Sequence, residues 1–291
     1  MEHKSVSLVL GSGGARGLVH VGVIKWLEEN GYTIESISGC SIGALIGGLY
    51  AAGRLDAYVE WLCKSDAMAL LKLLDFKGTG GLVSGEKLMR KLHAIAGEHR
   101  IEDLPLKFTA VATDINAEKE VWINNGPLLE AIRASISLPL FFTPYTYNAK
   151  VLVDGGVLNP VPIAPTFHDE TDLTIAVNLG GPISEETLLP KEQEDTNGFV
   201  ATIKEYLKKF SKETTLVSQE SMVMVANKSF ETMQGSLAKM KLSVYPPDIE
   251  IEVPRNLCGT FEFHKAKELI QYGYDLCQNH PQLHALKKPS R

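Results

Sequence analysis

The sequence predicts an α/β fold with a largely parallel central sheet, because short apolar segments alternate along it with segments of helical periodicity. Two glycine-rich turns, at 11–17 and 39–43, each follow a predicted strand and precede a predicted helix. Of the 291 residues, 44% are hydrophobic and 22% are charged, which is typical of a globular protein with one large domain or two small ones.

The individual elements follow from apolar periodicity and from the glycines, prolines and polar clusters that end each run. The strands are predicted at 6–10, 36–38, 108–115, 120–123, 151–153, 173–179 and 249–253, and the helices at 14–29, 42–52, 84–96, 127–137, 199–212, 216–240 and 263–277. Residues 182–198 are polar, acidic and rich in helix breakers, so they are predicted to form a loop. The tail from His280 onward is predicted to be loose.

Charge and residue spacing exclude several classes of function. The 29 basic and 35 acidic residues give a net charge of −6 without a strongly basic stretch, so nucleic acid is not an expected partner. The cysteines have no C-x-x-C spacing, so we expect reduced thiols, and we expect no metal and no other cofactor. No signal peptide precedes the first strand, and the longest apolar run, 42–52, is shorter than the ~20 residues of a membrane span. We therefore expect a cytoplasmic protein and leave peripheral contact with the inner membrane face open.

The second turn reads Gly39-Cys40-Ser41-Ile42-Gly43 and has the G-x-S-x-G form of a nucleophile elbow, a strained strand-to-helix turn that exposes a serine. Its two glycines are needed because the tight turn brings the backbone together and leaves no room for Cβ atoms. Such an elbow aims the serine, not the neighbouring cysteine, at the substrate. Taken alone, a serine at this place would more often cap a helix.

The first turn, Gly11-Ser12-Gly13-Gly14-Ala15-Arg16-Gly17, presents a row of backbone N–H groups at a helix start, which suits the stabilisation of an oxyanion. Similar loops hold phosphate in nucleotide-binding folds, but the Walker lysine and a clearly placed acidic residue for a ribose are absent here. Acyl transfer requires at least a nucleophile and a group of donors that stabilises the oxyanion, and the two turns together can supply both.

The order of these motifs resembles that of the patatin-like phospholipases, the family that includes plant patatin and the esterase domain of neuropathy target esterase. The two turns are similar to the family's oxyanion loop and elbow, and Asp154-Gly155-Gly156 is similar to the motif that carries its second catalytic residue. Residues 133–139 also resemble the family, whereas Ser12 stands where many members have glycine. An α/β-hydrolase fold is not indicated, because that fold has several strands before its elbow and this chain has one strand–helix unit.

The resemblance implies a three-layer fold with helices on both faces of the sheet and a mostly helical C-terminal region. It implies a single domain over 1–291, with a catalytic core at 5–180 and a helical extension at 196–291 packed on that core. It also implies a Ser41–Asp154 dyad without histidine, in which Asp154 accepts the proton of Ser41 or orients its hydroxyl. The implied oxyanion donors are the backbone N–H groups of Gly13, Gly14 and Ala15. The implied supporting residues are Gly11, Arg16, Gly17, Gly39, Gly43, Gly155 and Gly156.

Several residues leave other assignments open. Arg16 either adds positive charge near the site or, as we favour, holds the loop by a salt bridge. His20 lies within a turn of the glycine-rich loop, and His264 has the chain order of a Ser–Asp–His triad, but we expect both to be structural because each falls on or at the start of a helix. Asp154 taken alone, before two glycines, would be an ordinary turn aspartate.

Contact with lipid has two candidate segments. Apolar residues recur at helical spacing from Phe199 to Lys212 with four lysines among them, which fits either an interfacial helix or, more often, a helix packed on its own core. Flexible methionines follow, which suit an acyl-chain pocket or an ordinary core. They are Met222, Met224, Met233 and Met240.

We therefore predict a serine lipid acyl hydrolase of the phospholipase A or lysophospholipase type, whose partner is a lipid or acyl-ester substrate. Ser41 attacks a carboxylic ester, and water then releases the fatty acid from an acyl-enzyme. Two alternatives stay open: a lipid-binding regulatory protein without turnover, and an acyltransferase that shares the acyl-enzyme. The head group, the chain length and the oligomeric state are not predicted.

Overall fold

The computed structural model describes residues 4–77, 82–185, 189 and 216–287. Within these residues the strands are β1 (Lys4–Leu10), β2 (Tyr32–Cys40), β3 (Phe76–Lys77), β4 (Leu82–Val83), β5 (Lys107–Asp114), β6 (Lys119–Ile123), β7 (Tyr145–Tyr147), β8 (Lys150–Asp154), β9 (Leu173–Gly181) and β10 (Ile249–Pro254). The helices are α1 (Val19–Glu29), α2 (Ile42–Ala51), α3 (Leu55–Lys64), α4 (Ala67–Leu71), α5 (Glu86–Ala96), α6 (Leu128–Ser135), α7 (Leu216–Val244), α8 (Ala266–Gln278) and α9 (Pro281–Lys287).

The central sheet has the strand order β10-β9-β1-β2-β5-β8-β7, with β6 also paired to β5. Neighbouring strands from β10 to β5 are parallel, whereas β6 and β8 run antiparallel to β5, and β7 runs antiparallel to β8. Leu10 at the end of β1 pairs with Gly39 near the end of β2, so both glycine-rich turns leave the sheet at the same edge. The predicted α/β fold with a largely parallel sheet is confirmed.

Helices cover both faces of the sheet, and the alternation of side chains along β1 separates two cores. Leu8 and Leu10 belong to the larger core, to which α1 and α2 contribute. Val9 lies on the opposite face and packs with Ala238 and Leu242 of α7. The three-layer arrangement implied by the resemblance is therefore confirmed.

Two predicted segments differ from the structure. The first predicted helix is divided, because Gly14–Leu18 forms a 3-10 turn before α1 begins. The tail, predicted to be loose, instead forms α9, which buries Leu283 completely. The ring nitrogen Nε2 of His280 also lies 3.2 Å from the carbonyl oxygen of Glu250, so the tail is held against β10.

Other elements have no counterpart in the sequence prediction. These are α3, α4, β7 and the short β3–β4 pair. In the C-terminal region, the predicted strand at 249–253 is present as β10 and extends the sheet beyond β9. The predicted helix at 199–212 lies outside the described residues. Over the described ranges, no helix combines the length and the apolar character of a membrane span.

Candidate active site

Ser41 lies in the turn between β2 and α2. Its backbone angles are φ 55° and ψ −122°, a conformation that costs a non-glycine residue on the order of 1–3 kcal/mol. The turn is tight, because a Cβ added to Gly39 would lie 2.5 Å from the carbonyl oxygen of Gly43, and one added to Gly43 would lie 2.1 Å from that of Leu10. The turn therefore has the strained geometry of a nucleophile elbow.

Asp154 ends β8 and reaches Ser41 through the antiparallel pairing of β8 with β5, where it stands opposite Ala112. The Ser41 hydroxyl Oγ donates a hydrogen bond to Asp154 Oδ2 at 2.5 Å, across 113 positions of sequence. The other carboxylate oxygen, Oδ1, accepts the N–H of Gly156 at 2.7 Å and the thiol of Cys40 at 3.8 Å. The sheet thus brings together the two residues that the sequence analysis paired.

The Asp154 side chain is fully buried. Burial raises its pKa from 3.8 to about 6, although the hydrogen bonds from Ser41, Gly156 and Cys40 act in the opposite direction. This carboxylate is therefore a stronger base than an exposed aspartate and is still ionised near neutral pH. It has the position and the basicity to accept the proton of Ser41.

The glycine-rich loop is fixed by backbone contacts at its two ends. The N–H of Gly11 donates to the carbonyl oxygen of Val177 at 3.1 Å, and the N–H of Ala15 donates to that of Thr260 at 2.9 Å. The second contact corrects one prediction from the sequence. Because the Ala15 N–H is already bound to Thr260, it does not point to the site as an oxyanion donor.

Gly13 and Gly14 have N–H groups without a hydrogen-bond partner in the described part of the chain. Both residues line the same cavity as Ser41. Gly14 has φ +60°, and a Cβ there would lie 2.5 Å from the carbonyl oxygen of Thr260; a Cβ at Gly13 would lie 2.7 Å from the side chain of Leu179. The backbone at the start of the 3-10 turn therefore needs glycine at both positions.

Arg16 is 6% exposed and ties this loop to the C-terminal part of the chain. Its Nε donates to the carbonyl oxygen of Gly13 at 3.2 Å, and its guanidinium also donates to the carbonyl oxygen of Arg255. A salt bridge of 3.5 Å joins it to Glu231 of α7. These contacts fit the role that we favoured for Arg16, in which its side chain holds the loop through a salt bridge.

The remaining predicted glycines lie around the dyad. Gly17 packs against the side chain of Ile42, directly after the nucleophile. Gly155 and Gly156 begin the 3-10 turn that follows β8, and the N–H of Gly156 is the donor to Asp154 described above.

Ser135, the last residue of α6, and Ser137, two residues later, hold the two members of the pair. The N–H of Ser41 donates to Ser135 Oγ at 2.9 Å, and this hydroxyl donates to the carbonyl oxygen of Val111 at 2.6 Å. The N–H of Asp154 donates to the carbonyl oxygen of Ser137 at 2.9 Å. The sequence marked this segment only through its resemblance to a family, since nothing in the spacing of two serines indicates such contacts.

Neither histidine accepts the proton of the Ser41 hydroxyl, which is donated to Asp154. His20 is fully buried, its Nε2 lies 2.9 Å from the carbonyl oxygen of Gly11, and burial lowers its pKa to about 4. His264 lies in the 3-10 turn before α8. The described residues hold no group of three or more potential metal ligands.

A cavity of about 190 Å³ lies beside Ser41, Gly13 and Gly14. Its wall is mostly apolar, as expected for a pocket that receives an acyl chain. Representative lining residues are Leu45, Leu62, Leu74, Leu88, Ile136 and Phe142. Met233 and Met240 are more than half exposed and do not line it. The side chains of the other two candidate methionines lie outside the described set.

A sequence profile of the family described as patatin-like phospholipase matches residues 8–167. The chain belongs to the patatin-like phospholipase family. The matched range contains the glycine-rich loop, the elbow and Asp154, so the resemblance stated from the motifs is confirmed. Membership of the patatin-like phospholipases makes the protein a member of a family of lipid hydrolases.

Individual relatives extend this match beyond the profile. An NTE family protein of Mycobacterium bovis is 35% identical, and the alignment covers 92% of this chain and 89% of that protein. Lysophospholipase NTE1 of Pyricularia oryzae is 27% identical over 93% of this chain, which corresponds to 18% of the fungal protein. Among solved structures, VipD from Legionella pneumophila matches 99% of this chain and 67% of its own with 14% identity and a TM-score of 0.47.

Proposed function

We propose that this patatin-like phospholipase is a serine carboxylic ester hydrolase that removes an acyl chain from a phospholipid or lysophospholipid. The observation that carries the proposal is the 2.5 Å hydrogen bond from Ser41 Oγ to the buried Asp154, at the wall of an apolar cavity. The fungal relatives named lysophospholipase align with nearly the whole of this chain, which supports the lipid class of the substrate.

The reaction follows from the positions of these groups. Ser41 Oγ attacks the ester carbonyl carbon while its proton passes to Asp154 Oδ2. The negative charge on the carbonyl oxygen is then stabilised by the free N–H groups of Gly13 and Gly14, and one such donor is typically worth about 10²–10³ in rate. When the intermediate collapses, the alcohol leaves with the proton from Asp154. Water attacks the resulting acyl-enzyme by the same proton transfers and releases the fatty acid.

The test is hydrolysis of p-nitrophenyl butyrate and of a lysophospholipid, together with labelling by a fluorophosphonate probe. We expect turnover of both esters and a probe adduct on the peptide that contains Ser41. Added glycerol distinguishes the acyltransferase, because a transferase converts part of the substrate into acylglycerol instead of free fatty acid. Lipid binding without turnover or labelling would instead support the non-catalytic alternative.

Gly14→Ala is expected to lower kcat/KM on p-nitrophenyl butyrate by about 10²-fold, because the added Cβ displaces the loop that holds the oxyanion donors. Gly53→Ala is the matched control, since Gly53 has φ +65° and nothing within 4 Å of an added Cβ. Both variants therefore carry a similar backbone cost, but only the first moves the site. Steady-state kinetics and thermal unfolding of both variants check this, and equal losses of activity would contradict an oxyanion role for the loop.

A further inference from the structure

One rim of the cavity carries an exposed leucine in a strained backbone conformation. Leu138, Phe141 and Phe142 line the cavity, whereas Leu140 between them is 62% exposed and has φ +66°. A positive φ is unfavourable for a bulky residue, and an exposed leucine side chain contributes little to folding. The strain therefore places an apolar group in solvent at the edge of an apolar cavity.

This rim is held in a defined position. Arg133 is buried and donates to the carbonyl oxygen of Thr143 at 3.1 Å and to that of Ser84 at 2.8 Å. The N–H of Thr143 also donates to the carbonyl oxygen of Val83 at 3.0 Å. The exposed leucine thus stands on a segment that is hydrogen-bonded to the neighbouring wall of the cavity.

A second part of the cavity wall repeats this arrangement. Leu70, Leu73 and Leu74 line the cavity, and Met68 in α4 is 51% exposed. Apolar side chains on both parts of the rim therefore continue the apolar lining outward into solvent. Exposed apolar side chains beside an apolar cavity suit an interaction site.

The charge of the same wall is positive. Residues 64–91 contain six basic and three acidic residues, whereas the whole chain has a net charge of −6. Lys72 and Lys87 are exposed, and Lys87 Nζ lies 3.4 Å from the carbonyl oxygen of Lys72. Each of them directly precedes a leucine that lines the cavity, Leu73 and Leu88 respectively.

One of the three acidic residues is turned inward. Asp75 accepts hydrogen bonds from the hydroxyl of Ser84 at 2.5 Å and from the N–H of Gly85 at 2.8 Å. Burial alone would raise the pKa of Asp75, but these bonds together outweigh it and lower the pKa, so Asp75 stays ionised while its charge is directed to these donors. The other two, Asp66 and Glu86, are exposed, and the outward charge of the segment is positive because its exposed basic residues outnumber them.

We propose that Met68, Lys72, Lys87 and Leu140 form a docking face for the surface of an anionic lipid bilayer. The apolar side chains would enter the interface while the lysines contact lipid phosphates, which is the usual division of roles at membrane surfaces. A lipid chain could then pass from the bilayer to Ser41 along apolar surface. The docking face rests on the proposed function, because it gives that site its lipid substrate.

The test is a double variant, Met68→Gln with Leu140→Asn, in the full chain. Asparagine tolerates positive φ better than leucine, so the fold is not expected to suffer. We expect cosedimentation with vesicles of phosphatidylglycerol and phosphatidylcholine to fall about tenfold. Hydrolysis of a lysophospholipid in those vesicles should fall likewise, while hydrolysis of dissolved p-nitrophenyl butyrate stays unchanged. Met240→Gln with Val244→Asn is the matched control, since both residues are exposed on α7 and neither lines the cavity.

A second variant, Lys72→Gln with Lys87→Gln, tests the charge. It should lose about tenfold or more in binding to the anionic vesicles and little in binding to pure phosphatidylcholine. The docking face is wrong if vesicle binding by both rim variants equals that of wild type, or if the control pair loses as much. An equal loss in the hydrolysis of dissolved p-nitrophenyl butyrate would also overturn it, because the substitutions would then have disturbed the folded structure and not only the contact with the membrane. Sedimentation needs no turnover, so an inactive wild type that still binds through this face would refute only the proposed hydrolysis.

Discussion

Replacing Ser41 by alanine is expected to reduce ester hydrolysis by a factor on the order of 10⁴–10⁶, because the nucleophile of the proposed acyl-enzyme is removed. Both the chromogenic ester and the lysophospholipid should be affected equally, since the two substrates share the attack step. Labelling by the fluorophosphonate should disappear with the activity. Rates of wild type and variant, measured with excess enzyme over a single turnover, give the factor directly.

The fold should tolerate this change. Alanine at this position has the same unfavourable φ as serine, and the turn keeps the hydrogen bond from the backbone N–H to Ser135. Ser38→Ala is the matched control, because Ser38 lies on β2, the strand that leads to Ser41, is 1% exposed and has a hydroxyl without a hydrogen-bond partner in the described structure. Full activity of Ser41→Ala, or an equal loss in Ser38→Ala, would refute the nucleophile assignment.

Asp154→Asn is expected to lower kcat by a factor of about 10³–10⁴, because the amide keeps the shape of the carboxylate but cannot accept a proton. Wild-type kcat/KM should fall as the pH drops through about 6, where Asp154 becomes protonated. A residual rate near that of wild type would instead assign the base to another group, and His20 and His264 would have to be tested in turn.

The same substitution should make the protein more stable at alkaline pH. The folded-state pKa of Asp154 lies above its ordinary value of 3.8, at about 6, so its protonated form is the one that the fold favours. This contribution is complete below about pH 4 and is lost as the pH rises through about 6. Asparagine is always neutral, and the difference of about two pKa units corresponds to roughly 3 kcal/mol.

Denaturant unfolding of wild type and Asp154→Asn at about pH 4 and about pH 8 measures this difference, because other titrating groups cancel between the two proteins. We expect similar stabilities at the lower pH and a more stable variant at the higher pH. A variant that is less stable at the higher pH would show that burial does not disfavour the Asp154 carboxylate. Loss of activity with gain of stability would distinguish a residue kept for its chemistry from one kept for the fold.

The parts of the fold that the sequence predicts well are those governed by local patterns. The apolar run of β1, the glycines of the elbow and the breaker at the end of α1 each act within a few residues, and the structure confirms these elements. Boundaries differ where pairing decides them. β2, for example, extends from Tyr32 to Cys40 because its neighbours β1 and β5 supply partners along that length.

The site is predictable only in part, for a physical reason. A serine in a G-x-S-x-G turn can be found from its neighbours, but Asp154 becomes its partner only through the pairing of β8 with β5. No local signal marks this aspartate, so its role was predicted only from the resemblance of this chain to the patatin-like phospholipases. The error at Ala15 has the same origin, since its N–H is bound by Thr260, a residue 245 positions later.

The contacts of the glycine-rich loop bear on where a minimal version of this enzyme can end. The family profile stops at residue 167, with every proposed catalytic residue already included. Thr260, Arg255 and Glu231, which hold Ala15 and Arg16, all come after that point. A truncated chain that keeps the whole matched range would therefore contain every proposed catalytic residue. It would still lack the residues whose hydrogen bonds and salt bridge hold the glycine-rich loop in place. In this protein the part that the family profile matches is therefore shorter than the part that the proposed site needs.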